Sequence, residues 1–543
     1  MTISFLGDNM TTFYHPFARA LAVLTLVLSV FAPVQGTAQT TAFRQAVAEG
    51  AARDDALAEF YRAREFDGIW TGNSRAERAR RNALLAAFAN AGDHGLPAAE
   101  YDPNALMARL EAASTPAEQG AMEVEMSRLF VSYARDIQTG ILTPRSVVSE
   151  IRREVPLRSR LGYLQGLEQS NPASYLAALP PSSPEYARLL REKLRLERLI
   201  GLGGWGPTVS GGALEPGASG ARVVALRDRL VAMGFMERSA TQTYDATIQT
   251  AVQRFQQAHG LTADGVAGAG TLRELNVPAA NRLQQIIVAM ERERWINRPR
   301  GQRHVWVNLT DFTAAIMDND AVTFSTRSVI GALDSDRQSP EFSDVMEFMV
   351  INPSWYVPRS IIVNEYLPAL QRNRNAVSHI EITNNRGQRI NRGAVNFNNY
   401  NARNFPFAMR QPPSRGNALG LVKFMFPNQY NIYLHDTPAK SLFGREVRAF
   451  SHGCIRLNDP FDFAYALLAV QEADPEGFFQ GRLRSGTETR VNLDEPVPVH
   501  IVYRTAFTHT TGQLNFRRDV YSRDSRIWNA LANEGVAVRA IGG

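Results

Sequence analysis

The chain has 543 residues, 44% of them apolar, enough for three or four domains of roughly 100–200 residues each with buried cores. Its formal charge of +6 comes with mixed-sign runs such as RAERARR and REKLRLERL, which argues against a nucleic-acid partner and leaves attraction to an anionic polymer open. A single cysteine, Cys454, excludes an intrachain disulfide.

Residues 20–32, ALAVLTLVLSVFA, form an apolar run preceded by Arg19 and followed by the small-x-small pattern Gly36-Thr37-Ala38. That is the layout of a secretory signal cleaved after Ala38, with a retained anchor as the alternative and Met10 as a second candidate start. Residues 1–38 are therefore read as a signal peptide, and membrane contact is expected only through that segment.

From 39 to 202 apolar residues fall three and four apart, as in EVEMSRLFVSYARDIQTG and SPEYARLLREKLRLERLIG, predicting a helical scaffold domain without a catalytic cluster. Residues 203–216 are dense in Gly and Pro and read as a linker. A small three-helix bundle is expected over 217–277. Val223, Leu226, Leu230 and Met233 share one helical face behind Ser219 as N-cap; Ile248, Val252 and Phe255 share another between Asp245 as N-cap and Gly260 as stop; a short helix carries Leu272 and Leu275. A basic, amphipathic connecting helix follows within 281–300.

At 304 the period changes. HVWVNLTDFTAAIMDND, MEFMVINPSW, YNIYLHD and VPVHIVYRTAF are short runs of β-branched and aromatic residues broken by turn formers, predicting a mainly β domain over 304–523. Within it, 358–413 differs, with an apolar helix around IIVNEYLPALQ and then the Asn/Arg-rich NNRGQRINRGAVNFNNYNARN; it reads as an insertion that is either a cover over a site or a surface loop. Residues 524–543 are left as a C-terminal tail. The expected class is multidomain α+β.

The chemistry concentrates in SHGCIRLND, Ser451 to Asp459. A thiol attacks as its thiolate, which is scarce for an isolated Cys and plentiful beside an imidazole. His435 lies nineteen residues before Cys454 on a strand-like run, and His452 two residues before it. His452 and Cys454 share a face if the strand continues, and a turn at Gly453 would separate them. Free cysteines are more often buried hydrophobes, but the polar company of Ser451, His452, Arg456 and Asn458 argues against an apolar burial pocket here. A zinc site from His435, His452 and Cys454 is an alternative that lacks H-E-x-x-H or C-x-x-C.

Two resemblances add to this. LRDRLVAMGF…YDATIQTAVQRFQQAHGLTADGVAGAGTLRELN resembles the first type of peptidoglycan-binding module, implying glycan contact through 217–277. His435, the gap, and Ser-His-Gly-Cys-Ile-Arg-Leu-Asn are similar to the signature of L,D-transpeptidases with a YkuD-type catalytic domain, and the chain as a whole resembles the large multidomain Gram-negative members. In that family the insertion corresponds to a substrate-capping subdomain.

The resemblance implies a periplasmic enzyme of cell-wall biogenesis, with peptidoglycan stem peptides as donor and acceptor and no cofactor or metal. Cys454 would attack the third stem residue of a tetrapeptide and expel D-Ala; a second stem's amine would then take the acyl group in a 3→3 cross-link. His435 matches the general base, His452 and Ser451 the groups that orient the pair, and the N–H groups of Gly453 and Cys454 an oxyanion hole. Arg456 is the expected partner of substrate carboxylates, with Asn458, Tyr433 and Trp355 as further contacts. An L,D-carboxypeptidase, attachment of an outer-membrane protein to the wall, a non-catalytic scaffold and a zinc murein peptidase are the alternatives.

Overall fold

The structure, a computed structural model, describes residues 35–509 and 511–541, with side chains from residue 40. The apolar run 20–32 and both candidate starts lie outside the described residues. Among those described, no helix is long and apolar enough to cross a membrane.

The chain divides into two compact units. The described part of the first is 35–78 with Asn104–Arg128. Its helix Asp55–Arg62 starts at Asp54, whose carboxylate accepts from the Leu57 N–H. The loop at 69–71 turns three backbone N–H groups inward, and the buried Glu123 carboxylate accepts from Ile69, Trp70 and Thr71 and from the Tyr61 hydroxyl.

The second unit, Ala79–Pro103 with everything from Leu129 on, is organised around the helix Ala279–Trp295. The sequence predicts an amphipathic helix there; instead every residue from Ile286 to Trp295 is buried. Helices Pro184–Gly201 and Arg523–Asn533 pack on it, so the stretch expected as a tail supplies core residues Ile527 and Leu531. The helix can bury its charges because each finds a partner. Glu293 meets Arg300 and Arg504, both at 2.6 Å, and Arg294 meets Glu291 at 3.0 Å. Arg292 meets Asp524 at 2.7 Å and Glu341 at 2.6 Å, and Glu341 also takes Arg523 at 2.9 Å.

The small bundle has helices Ala221–Ala232, Ala246–Ala258 and Ala269–Leu275. Asp245 caps the second through the N–H groups of Thr247 and Ile248, and Gly260 ends it at φ +64°. Ser219 does not cap the first: Gly220 precedes it, and the Ser219 hydroxyl pairs with Thr243 instead. The presumed linker also joins this bundle, since Val209 and Leu214 are buried in its core.

Beyond it lie twelve strands that carry the site: β1 (Arg303–Asn308), β2 (Thr313–Asp318), β3 (Ala321–Gly331), β4 (Phe342–Ile351), β5 (Trp355–Tyr356), β6 (Glu381–Thr383), β7 (Ala408–Gln411), β8 (Val422–Met425), β9 (Leu434–His435), β10 (Ala449–Ser451), β11 (Ile455–Leu457) and β12 (Thr489–Val502). Nine form one sheet in the order β10-β3-β11-β9-β8-β4-β12-β1-β2, and β3 also pairs with β2, so the sheet closes on itself. Its interior is filled by alternate residues such as Val305, Val307, Met349, Phe424, Leu434, Ile455 and Leu457. β5, β7 and β6 make a separate three-stranded sheet in which β6 and β7 belong to the insertion and β5 lies just before it; the insertion's core around Ile362, Leu367, Ile382 and Met409 also takes in Trp355 and Leu419 from its flanks. The insertion is thus a folded subdomain, here called the cap.

Replacing Glu341 by Ala would leave Arg292 without one partner and Arg523 without its carboxylate in a buried setting. The expected loss is roughly 3–5 kcal/mol, read as a lowered urea midpoint; an unchanged midpoint contradicts this account of the helix.

Candidate active site

Cys454 sits in the tight turn between β10 and β11. Gly453 makes that turn with φ +108°, a region costly for any side chain, and an added Cβ would lie 3.1 Å from Ile432 Cδ1. Ser451 closes the turn: its hydroxyl donates to the Cys454 carbonyl at 2.5 Å and accepts from the Gly453 N–H at 3.1 Å. From below, the buried Ser339 hydroxyl donates to the Gly453 carbonyl at 2.6 Å. Every polar group of this turn that meets Ser451 or Ser339 is fixed before any ligand arrives.

β11 runs parallel to β9 in a register that pairs Ile455 with Leu434 and Arg456 with His435. Because strand residues alternate, Leu434 and Ile455 point into the core, and Tyr433, His435, Cys454 and Arg456 share the opposite face. This sheet geometry is what brings residues nineteen apart together.

His435 is buried. Its Nδ1 faces the Asp436 carbonyl at 2.5 Å, and since a carbonyl only accepts, Nδ1 carries the proton. The Leu419 carbonyl lies near the ring and favours its protonated form. Burial, and then the positive charge of Arg456, push the imidazole down to about 3. The half-buried Cys454 thiol is pushed up to about 11 by desolvation, against the opposing pull of the Tyr433 N–H and hydroxyl and of Arg456. Its Sγ donates to the Asn431 carbonyl at 3.5 Å. At neutral pH the resting site therefore holds a neutral thiol and a neutral imidazole. The sequence-based expectation of an abundant thiolate beside His435 gives way to burial, which disfavours both charged partners.

Gly453 separates His452 from Cys454. The His452 ring is partly exposed and its Nε2 meets Glu365 Oε1 of the cap at 2.6 Å. Glu365 stands on a wide π turn, Ile362–Tyr366, placed just ahead of Pro368, which lacks the N–H a regular α-turn would use. The oxyanion pair foreseen from sequence is altered too. The Gly453 N–H is held by Ser451, whereas the Cys454 N–H has no partner among the described residues.

Arg456 has no hydrogen-bond or carboxylate partner among the described residues, and its Nε is buried. Burial lowers its affinity for its proton, and the thiol opposes this. Asn458 faces elsewhere: its Nδ2 donates to Asp459 at 2.8 Å and its carbonyl accepts from Lys440. Trp355 is buried in the cap core, 6.3 Å centroid to centroid from Tyr366, and hydrogen-bonds Tyr433. Tyr433 thus lies close enough to the sulfur to interact with its charge, rather than being a packing residue alone. Glu365, Ser339, Asn431 and Leu419 were not foreseen. A lone acid inside the apolar IIVNEYLPALQ was the one signal available for any of them. Among the described residues no group of three or more His, Cys, Asp or Glu side chains is placed to hold a metal ion.

Two consequences can be measured. Alkylation of Cys454 by iodoacetamide should rise with pH to a midpoint near 11, well above the ~8.5 of a free thiol. A plateau already reached by pH 8 would contradict the neutral resting pair. Tyr433→Phe removes a donor to the thiolate and should move the midpoint further up.

Three family models match the chain. Residues 302–492 match the "L,D-transpeptidase catalytic domain", 219–275 the "Putative peptidoglycan binding domain" and 55–194 the "Scaffold domain". A curated relative from Haemophilus influenzae, "Putative L,D-transpeptidase", is 27% identical over 246 residues, 44% of this chain and 48% of that protein. The chain thus spans about half the length of that relative. Solved structures of L,D-transpeptidases from Xylanimonas cellulosilytica and Stackebrandtia nassauensis are each 14% identical over 55% of this chain. They are covered over 100% and 97% of their own lengths, with TM-scores of 0.17 and 0.21, values from which neither fold nor function is inferred.

Proposed function

We propose that this chain, which carries an L,D-transpeptidase catalytic domain and a peptidoglycan-binding domain, cross-links peptidoglycan stem peptides through a thioester on Cys454. The observation that carries the reading is the face shared by Cys454, His435 and an unpartnered Arg456 on paired strands. A nucleophile, a base and an anion site on neighbouring strands are what acyl transfer between carboxylate-bearing peptides needs.

In this reading the donor's carboxylate binds Arg456. That anion offsets the positive charge which, after burial, keeps the imidazole from taking a proton. His435 then accepts the Sγ proton as sulfur bonds to the carbonyl carbon of the third stem residue. The Cys454 N–H meets the developing oxyanion. The C–N bond to the terminal D-Ala breaks, and the proton passes from His435 to the leaving amine. The acceptor amine attacks the thioester, His435 takes its proton, and the thiol is reformed on release of the 3→3 product. Ser451 and Ser339 hold the turn through these steps, and His452 ties it to the cap. Such an enzyme works in the periplasm, in keeping with the signal-like run 20–32.

Incubation with disaccharide tetrapeptide and mass spectrometry of the products tests this. A 3→3 dimer with free D-Ala is expected, and Cys454→Ala should abolish it with the fold retained. Tripeptide without dimer would make the chain an L,D-carboxypeptidase, and unchanged substrate would refute acyl transfer. Arg456→Gln should raise KM about tenfold, the loss of one charge-assisted bond, with a smaller effect on kcat.

A further inference from the structure

Only three of the chain's 59 Lys and Arg residues are lysines. Lys193 is buried against Glu197 at 2.7 Å, and Lys440 meets Asp436 at 2.8 Å. Lys423 differs, since no hydrogen bond or ion pair ties it down among the described residues. Burial pushes its ammonium below the ordinary lysine range. Glu488, the charge that opposes this shift, already accepts from the Ser354 hydroxyl at 2.6 Å. A half-buried, unpaired ammonium carries a desolvation cost that a pairing anion would offset.

Strand register places this residue at the site. β8 pairs antiparallel with β9 so that Lys423 stands directly opposite His435, whose neighbour on the other side, across β11, is Arg456. Directly opposite residues share a face of the sheet. Val422 and Phe424, before and after Lys423 in β8, fill the barrel core, so Lys423 points the other way, to the face that carries Cys454, His435 and Arg456. One strand further Val350 of β4 stands opposite Lys423, and beyond it comes Arg490 of β12. The row across the sheet is therefore Arg456, His435, Lys423, Val350, Arg490. Arg490 is exposed, donates to Asn492 at 2.8 Å and lies over the Phe348 ring. Arg456 and Lys423 are the two cations of the row without a partner among the described residues. They flank the imidazole two strand spacings apart, roughly 10 Å at the backbone.

We propose that Lys423 binds a second carboxylate of the donor, the one on the side chain of the residue that becomes acylated, and so selects donors whose third residue carries an anion. This rests on the reading that Cys454 acylates on a stem peptide. A donor cut before its terminal residue loses one carboxylate with the leaving group, and Arg456 is assigned to that one. A carboxylate at Lys423 stays with the acyl-enzyme, on the opposite side of His435. Two unpaired cations on either side of one imidazole fit a ligand with two separated carboxylates better than a ligand with one. The lysine suits this place in a chain that otherwise uses arginine, because a compact ammonium on a flexible stem pairs with a carboxylate at the end of a mobile side chain without demanding a planar fork.

Lys423→Gln in the full chain tests this with disaccharide tetrapeptides that carry, at the third position, diaminopimelate, diaminopimelate with its side-chain carboxyl amidated, or lysine. The unaltered chain should favour the free acid over the other two about tenfold in kcat/KM, the worth of one charge-assisted bond, and chiefly through KM. Lys423→Gln should bring the three donors level, and Lys423→Arg should restore part of the preference. A Lys423→Gln chain that is slower on all three donors by one factor keeps the preference and overturns the proposal, because the lysine would then serve the fold or the imidazole alone. No preference in the unaltered chain overturns it as well. Titration of the free-acid and amidated donors into Cys454→Ala, with and without Lys423→Gln, reads the same discrimination as affinities without turnover. If the unaltered chain acylates on none of the donors, the proposed function fails, and these affinities still decide the role of Lys423: a Lys423-dependent preference for the free acid supports it, and equal affinities refute it.

Discussion

The carboxylate of Glu341 is the joint on which the second unit turns. It holds Arg292 of the central helix and Arg523 of the last helix at once; without it Arg523 loses its buried carboxylate and Arg292 keeps only Asp524. Its own backbone bonds the strand-like segment at 150–152. From this joint a short path reaches the chemistry: Arg523 donates to the Ser339 carbonyl at 2.8 Å, and the Ser339 hydroxyl supports Gly453. The turn that carries the thiol is therefore anchored to helices on either side of it in sequence, Ala279–Trp295 and Arg523–Asn533, and its shape does not depend on the barrel alone.

The electrostatics of the site follow from where that turn is placed. A partly buried sulfur beside a buried imidazole gains little from the imidazole's basicity, because desolvation penalises thiolate and imidazolium alike. Arg456 acts on the two groups in opposite senses: its charge favours the thiolate and disfavours the imidazolium. Whatever neutralises that guanidinium shifts the balance toward proton transfer to His435. Anion binding at Arg456 and proton transfer from the Cys454 thiol are then coupled.

Much of this was legible in the sequence where the signal is local. Asp245 and Gly260 mark a helix by their positions, and the alternation in YNIYLHD and the pairing of His435 with the SHGC run point to one site. What escaped were choices of long-range partner. Period and composition make IIVAMERERW look half exposed, because nothing nearby says that Glu341, Arg504 and Asp524 will meet its charges. Ser219 was a reasonable cap by residue type and lost that role to a glycine and a cross-loop bond with Thr243. The partner of His452 lies 87 residues away on a π turn, and the hydroxyl that supports Gly453 comes from a loop with no motif at all.

The neutral thiol has a further consequence for durability. Peroxides and small disulfides react with the thiolate, so a sulfur that stays protonated at neutral pH is a slow target for oxidation. With no second cysteine in the chain, no internal disulfide can trap it. The burial that makes Cys454 a sluggish nucleophile at rest also shields it from oxidation.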